Sequence, residues 1–229
     1  MLDAATIKLR KKLVAIDSIK KDLIMNIIKK MVNKIKRMRH LKVKGRNNFI
    51  SPIPNRLRIT IYGDNNKVIL DDCPLFEGAI IIGTSDCPIQ NCVVEIGEKS
   101  TSEGIYMMLL ENNSKIKIGK DCMFSSGVDI YCTDTHSVLN ADNEVINVGK
   151  FIELGDHVWC GKNVKIGKNT KIADNSIIGW GSVVTRAFEK TNVLIAGNPA
   201  QIVKENINWD RARPTKYLIS GKEKTGVNQ

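Results

Sequence analysis

Apolar residues recur every six positions through the second half of the chain. The repeating positions are all apolar: Leu154, Cys160, Ile166, Ile172, Ile178 and Val184. The residue after each is small, and four of these six are glycine. The residue three positions after each of the first five tolerates a left-handed backbone: His157, Asn163, Asn169, Asn175 and Gly181. The pattern predicts a short strand followed by a tight corner, repeated along the chain.

A single hexad cannot bury its apolar residue, so the hexads must stack. Stacked coils cover one another and pair their backbone groups, and three hexads per turn give a triangular prism with about 18 residues per coil. The same frame occurs upstream at Ile118, Phe124 and Ile130. The sequence therefore predicts a mainly β protein, with a parallel β-helix over residues 49–204 and a C-terminal extension over residues 205–229.

The hexad period stops over residues 132–151. A loop of this length in a regular coil is unusual unless it has a function. It contains His136, two residues after Asp134. Imidazole is a common general base, and a neighbouring carboxylate can fix its tautomer. His136 is therefore a candidate catalytic base.

The other histidines and the cysteines give no comparable signal. His157 occupies a corner position and His40 lies in a basic segment, so no zinc-ligand spacing is present and no metal is expected. The six cysteines contain no CxxC pair and are interpreted as reduced, small apolar residues. No signal peptide or spanning segment is recognised. A cytoplasmic protein is expected.

The net charge of +11 is concentrated at the N-terminus. Residues 1–46 hold 15 Lys and Arg against 3 Asp, a net of +12, so the remainder has a net charge of −1. Apolar residues at steps of three or four predict an amphipathic helical arm over residues 6–43, within an N-terminal region 1–48. The arm either packs on protein or lies on an anionic membrane at the inner face. Nucleic acid is disfavoured, because the arm has no aromatic residue before Phe49.

Two sets of segments resemble a known family. Residues 159–164, 172–186 and 196–200 look like the closing coils of the hexapeptide-repeat acyltransferases, which have a left-handed parallel β-helix. Residues 121–128 and 134–137 resemble the subset that O-acetylates bacterial surface polysaccharides or their precursors. The resemblance covers residues 59–204. It implies a homotrimer with an acetyl-CoA site between neighbouring prisms, and a sugar or glycan acceptor.

The resemblance also implies roles for individual residues. His136 matches the catalytic base, Asp134 its orienting carboxylate and Trp159 a tryptophan at the edge of the groove. The positions that match the segment contacting CoA are Lys162, Gly179, Trp180, Thr185, Arg186 and Lys204. Two of this chain's residues depart from the family: Trp180 replaces a small residue, and Gln201 replaces a basic one.

The implied reaction is direct transfer, with His136 removing a proton from a sugar hydroxyl as its oxygen attacks the thioester. No motif places a cysteine beside His136, so no acyl-enzyme is expected. Three alternatives remain open at this point. The first is an N-acetyltransferase acting on an amino sugar. The second is a serine O-acetyltransferase, disfavoured because the N-terminal helical domain of those enzymes does not resemble this Lys-rich arm. The third is a non-catalytic β-helix that docks a partner or a membrane through its basic arm.

Overall fold

A computed structural model describes Leu23, Met25 and residues 40–219 except Pro52 and Asn55. The chain divides into two compact units, Met1–Lys42 and Val43–Gln229. Most of the predicted helical arm, and the chain beyond residue 219, lie outside the described residues. In the described part of the chain, no helix is long and apolar enough to cross a membrane.

The described residues form eighteen strands and one short C-terminal helix. The first nine strands are β1 (Leu41–Lys44), β2 (Phe49–Ile50), β3 (Leu57–Tyr62), β4 (Lys67–Leu70), β5 (Phe76–Ile82), β6 (Val93–Ile96), β7 (Thr101–Leu109), β8 (Lys115–Ile118) and β9 (Met123–Phe124). The remaining elements are β10 (Val128–Tyr131), β11 (Phe151–Leu154), β12 (Trp159–Cys160), β13 (Lys165–Gly167), β14 (Thr170–Ile172), β15 (Ile177–Ile178), β16 (Val183–Val184), β17 (Val193–Gly197), β18 (Ala200–Glu205) and α1 (Pro214–Ile219).

The strands stack in three parallel rows, which are the faces of a prism. Face 1 contains β9, β12, β15 and β17, and face 3 contains β2, β4, β6, β8, β11 and β14. Face 2 contains β3, β10, β13 and β16 together with the long strands β5 and β7, whose first residues belong to face 1. We call the turn from face 3 to face 1 corner 1, the turn from face 1 to face 2 corner 2, and the turn from face 2 to face 3 corner 3.

The register confirms the predicted coil length and the inserted loop. Ile166 pairs with Val184, which is 18 positions further on (184 − 166). Ile130 pairs with Ile166 across 36 positions (166 − 130), because the loop over residues 132–151 lies in that coil. The insertion leaves the stacking intact, since Leu154 still pairs with Ile118 on face 3.

The inward and corner positions also agree with the hexad pattern. The repeating apolar residues are buried, and the Cys160 thiol is fully enclosed among them. Burial of each large aliphatic side chain stabilises the stack by about 1.5–3 kcal/mol. All five predicted corner residues have a positive φ, between 56° and 66°, from His157 through Asn175 to Gly181. Asn and Gly occupy these positions because a left-handed backbone is least unfavourable for them.

Both ends of the prism differ in part from the predicted domain boundaries. Strand β1 (Leu41–Lys44) begins inside the segment predicted as helix, and the Lys44 carbonyl accepts a hydrogen bond from the Gly63 amide (2.8 Å). The alternating sequence Leu41-Lys-Val43-Lys accounts for the extended conformation. At the other end, β18 pairs antiparallel with β17 and runs to Glu205, one residue into the predicted extension.

The segment after β18, residues 206–213, runs back along corner 1. The Ile207 amide donates to the Asn192 carbonyl (3.0 Å), and Trp209 stacks on the ring of His157 with centroids 4.0 Å apart. Arg211 donates to an Asp121 carboxylate oxygen (2.9 Å), to the Thr101 hydroxyl (2.8 Å) and to the carbonyls of Lys99 and Cys122. We call residues 206–213 the C-terminal strap.

Candidate active site

The loop over residues 132–151 leaves the prism at corner 3 and carries His136. Its two ends meet closely, because a side chain at Gly149 would come within 2.2 Å of the Cys132 carbonyl oxygen. Beyond this neck the loop forms a small hairpin in which Leu139 and Val145 pair antiparallel. The returning strand is bound to the next coil by Asn169, whose side-chain oxygen accepts from the Lys150 amide (2.8 Å).

His136 follows a tight γ-turn. Its amide donates to the Asp134 carbonyl at 2.7 Å, and the residue between them, Thr135, has a φ of 69°. The imidazole is exposed, and within the described residues it makes no hydrogen bond. A general base must be free to receive a proton from a substrate, and an exposed, unengaged ring meets that requirement.

The Asp134 carboxylate does not contact the His136 ring, which differs from the orienting contact that the resemblance implies. One of its oxygens accepts hydrogen bonds from Lys168 and from the side chain of Asn147 (2.9 Å). These two donors lower the pKa of Asp134, Lys168 most strongly. Asn147 also donates to the His136 carbonyl (2.8 Å), so Asp134 reaches His136 through Asn147 and the backbone.

Glu111 is a residue of this site that the sequence pattern did not indicate. It lies at corner 3, one coil before the loop, and its carboxylate accepts a hydrogen bond from the Thr133 hydroxyl (2.8 Å). Its second oxygen is buried without a partner among the described residues. Desolvation raises the pKa of Glu111, and the Asp134 charge adds to this, although the Thr133 bond and Lys168 act in the opposite direction. Its only sequence signal is its place one coil before the loop at the same corner.

Three of the predicted cofactor residues lie at corner 2. Lys162 follows β12, and Gly179 and Trp180 follow β15, one coil later. The Trp180 indole is 77% exposed and lies against Gly161, where an added Cβ would come within 2.4 Å of Trp180 Cδ1. Trp180 therefore stands on the surface of the corner instead of filling the prism, and Gly161 provides the space for it.

Trp159 projects outward from face 1, between corners 1 and 2. Its indole nitrogen is buried without a hydrogen-bond partner in the described part of the chain. Its ring lies 6.0 Å, centroid to centroid, from that of Trp209 in the C-terminal strap. A buried N–H without an acceptor is energetically unfavourable, and this one is enclosed on the side of face 1 that the strap covers.

The other predicted cofactor residues lie near the C-terminal end of the prism. Thr185 and Arg186 are at corner 3, and the Arg186 guanidinium donates to the side-chain oxygen of Gln201 on β18. Arg186 also lies over the Phe188 ring, 5.2 Å from its centroid. Lys204 is exposed on β18, opposite Leu194. The two positions that differ from the family thus have defined surroundings, Gln201 with Arg186 and Trp180 with Gly161.

The predicted residues therefore separate into groups on different sides of one prism. His136, Asp134, Thr185 and Arg186 belong to corner 3, whereas Lys162, Gly179 and Trp180 belong to corner 2 and Trp159 to face 1. Face 2 separates the two corners within a single chain. The described residues contain no group of three or more His, Cys, Asp or Glu arranged to bind a metal.

Comparison with known proteins identifies the family. No family model matches the chain. It is 35% identical over 190 residues to a polysialic acid O-acetyltransferase of Neisseria meningitidis, covering 73% of this chain and 88% of that protein.

Two solved structures share the fold. The polysialic-acid-specific acetyltransferase NeuO has a TM-score of 0.66 and 26% identity, covering 79% of this chain and 93% of that one. The polysialic acid O-acetyltransferase OatWY has a TM-score of 0.58 and 31% identity, covering 79% and 96%. These similarities confirm the left-handed parallel β-helix. The chain belongs to the hexapeptide-repeat acetyltransferases, in the branch that contains the polysialic acid O-acetyltransferases.

Proposed function

We propose that the protein transfers the acetyl group of acetyl-CoA to a hydroxyl of polysialic acid or of a related surface glycan. The relatives named above support this acceptor, since the chain covers most of each. The observation that carries the proposal is the exposed imidazole of His136, beside the bonded side chains of Asp134 and Asn147. The scaffold holds the loop while this one ring remains free.

His136 acts as the general base in this proposal. The acceptor hydroxyl gives its proton to the imidazole as its oxygen bonds to the thioester carbonyl carbon. The carbon–sulfur bond then breaks, and the imidazolium returns the proton to the CoA thiolate. General-base assistance of this kind contributes about 10²–10⁴ in rate. Atoms and charge balance without a redox partner or a metal.

Direct transfer is favoured over an acyl-enzyme because the nearest thiol in sequence is unreactive. Burial raises the pKa of Cys132, at the neck of the loop, to about 12. Burial also raises the pKa of Cys160, on the strand that carries Trp159, well above its ordinary value. The thiolate is the nucleophilic form, so neither residue is poised to accept an acetyl group.

The acetyl-CoA site is proposed to lie between two chains of a homotrimer, with corner 3 of one chain facing corner 2 of the next. On one prism the residues of corner 3, such as His136, are separated by face 2 from those of corner 2, such as Lys162. Two neighbouring chains could bring the two corners together, which supports this arrangement. The loop also exposes apolar side chains, including Ile146 at 61%, and exposed apolar patches mark protein contacts. Trp159, half-buried on face 1, would then form part of the edge of this site. Arg186 and Lys204 would attract the CoA phosphates.

The decisive test measures acetyl-CoA consumption with polysialic acid and with a panel of other surface glycans. The products are identified by mass spectrometry and NMR, which separates O-acetylation from N-acetylation. His136→Ala should lower kcat by about 10²–10⁴ and leave acetyl-CoA binding unchanged. His40→Ala, outside the site, is the matched control and should behave as the unaltered protein. Full kcat in His136→Ala would refute the proposed base.

For the N-terminal arm we propose a separate role in localisation, at the inner face of an anionic membrane. Residues 1–46 have a net charge of +12, and juxtamembrane basic groups each contribute about 1 kcal/mol of attraction to anionic lipid. Sedimentation with anionic liposomes should weaken as salt rises and disappear when residues 1–46 are deleted. Equal sedimentation of the deleted and full-length chains would exclude the arm as the membrane contact.

A further inference from the structure

The backbone just before His136 is held in an unfavourable conformation. Thr135 has a φ of 69°, in the left-handed region where a β-branched residue is rarely found. A γ-turn with positive φ is also strained. Such conformations persist only where neighbouring groups fix them. The bonds that fix Thr135 therefore also determine where the next residue, His136, lies.

A short hydrogen-bonded chain leads from the prism to this turn. The Thr133 hydroxyl accepts from the Thr135 amide (2.9 Å) and donates to the Glu111 carboxylate (2.8 Å). One hydroxyl thus has both a defined acceptor and a defined donor. Glu111 is itself fixed, because its carbonyl accepts from the Ser114 hydroxyl (2.8 Å) and from the Cys92 thiol (3.2 Å).

We propose that Glu111 and Thr133 are positioning residues, which set the orientation of the His136 imidazole by holding the strained turn at Thr135. This inference rests on the proposed role of His136 as the base. Neither residue is hydrogen-bonded to the imidazole, so both act through the backbone. The Asp134–Lys168 bond and the Asn147 bridge hold the opposite side of the same turn. The Glu111–Thr133 bond ties the turn to the preceding coil, and the Asp134–Lys168 bond ties it to the following coil.

The chemistry of Thr133 provides a matched pair of substitutions. Thr133→Val keeps the shape of the side chain but can neither donate to Glu111 nor accept from the Thr135 amide. Thr133→Ser keeps both bonds. Glu111→Gln keeps an acceptor for Thr133, whereas Glu111→Ala removes it. A purely structural role would change stability in each pair without changing the turnover of the folded enzyme.

Turnover of acetyl-CoA with polysialic acid is measured in these variants, together with KM for acetyl-CoA and Tm. Thr133→Val and Glu111→Ala should lower kcat by about 10–100-fold with KM within about twofold, since a small misplacement of a catalytic group has this size of effect. Thr133→Ser and Glu111→Gln should recover most of kcat. The control Thr84→Val removes a comparable hydroxyl–amide bond, to the Cys87 amide, and should change neither constant.

Thr135→Gly tests the same idea where a destabilised Thr133→Val does not fold. Glycine adopts a positive φ without strain and also leaves it freely, so this variant should fold with an unchanged Tm and lose kcat. Full kcat in Thr135→Gly, or in folded Thr133→Val, while His136→Ala is inactive would overturn the positioning role alone. An active His136→Ala would instead refute the proposed base.

Carbethoxylation of His136 by diethyl pyrocarbonate, followed by mass spectrometry, needs no acceptor. Its rate should change in Thr133→Val but not in Thr133→Ser, and equal rates in the two would also overturn the inference.

Discussion

The loop over residues 132–151 and the C-terminal strap both depart from the hexad repeat, but the prism holds them in different ways. The strap buries Trp209 to 8% exposure and satisfies Arg211 with several acceptors along corner 1. The loop buries no comparable side chain at its tip. It is held by a few polar tethers near His136, while Val138 and Ile146 remain exposed.

This difference indicates that the strap serves stability, whereas the loop over residues 132–151 serves function. An aromatic anchor with satisfied polar groups adds stability, as the strap does by covering Trp159 and His157. Polar side chains that fix a backbone turn and leave an imidazole free hold a catalytic group in the position that a reaction requires. The strap is attached along corner 1, and the loop is attached at corner 3. Substitutions in the strap should therefore change stability, and those in the loop should change turnover.

The largest expected effect on stability comes from Trp209→Ala. The substitution removes the stack on His157 and the bond from the Trp209 indole to the His157 carbonyl (2.8 Å). Loss of a buried tryptophan typically costs about 3–5 kcal/mol, and we expect the free energy of unfolding to fall by that amount. Denaturant titration followed by far-UV circular dichroism measures it.

Trp180→Ala is the matched control for that experiment. Trp180 is 77% exposed, so its removal should change the unfolding free energy by no more than about 0.5 kcal/mol. A similar loss in both variants would mean that the strap does not anchor the prism through Trp209.

A smaller effect is expected from Asp121, which links the strap to corner 1. Desolvation raises the pKa of Asp121, but hydrogen bonds from His157 and Arg211 outweigh it, so the pKa is lowered overall. A carboxylate with a lowered pKa in the folded state stabilises the protein above its unfolded pKa, about 3.9. That contribution is lost as pH falls through the lower, folded pKa.

The pH dependence of stability therefore tests the link. Asp121→Asn should lower stability by about 1 kcal/mol at pH 6, since the group is partly exposed and screened. The difference from the unaltered protein should shrink below about pH 4, as the Asp121 carboxylate is protonated first in the unfolded chain and then, at lower pH, in the folded protein. Thermal melts at several pH values measure this, and a difference that is constant from pH 6 to pH 3 would contradict it.

The contrast between the two departures also shows what the sequence could predict. The hexad period predicts the coil length, the inward residues and the positive φ at the corners, because a repeat constrains each coil by its neighbours. The loop was recognisable as an interruption that contains His136. The sequence does not indicate the role of Glu111, because its hydrogen bond with Thr133 joins residues 22 positions apart and follows no local pattern. For the strap, likewise, the sequence indicates only an extension, since Trp209 and Arg211 follow no period.

The smallest effects come from two lysines near the same strand, β13. Lys168 bonds to Asp134 in the loop, and Lys165 bonds to Asp129 on face 2 at 2.5 Å. Exposed ion pairs contribute about 0–1 kcal/mol, so Lys168→Met and Lys165→Met should each lower stability only slightly. Lys168→Met also releases one tether of the turn at His136. Its kcat should fall by about 3–10-fold, which corresponds to roughly 1 kcal/mol of transition-state stabilisation, whereas Lys165→Met should retain full turnover. Equal kcat in the two variants would mean that the following coil does not hold the loop for reaction, and that the Glu111–Thr133 side alone fixes His136.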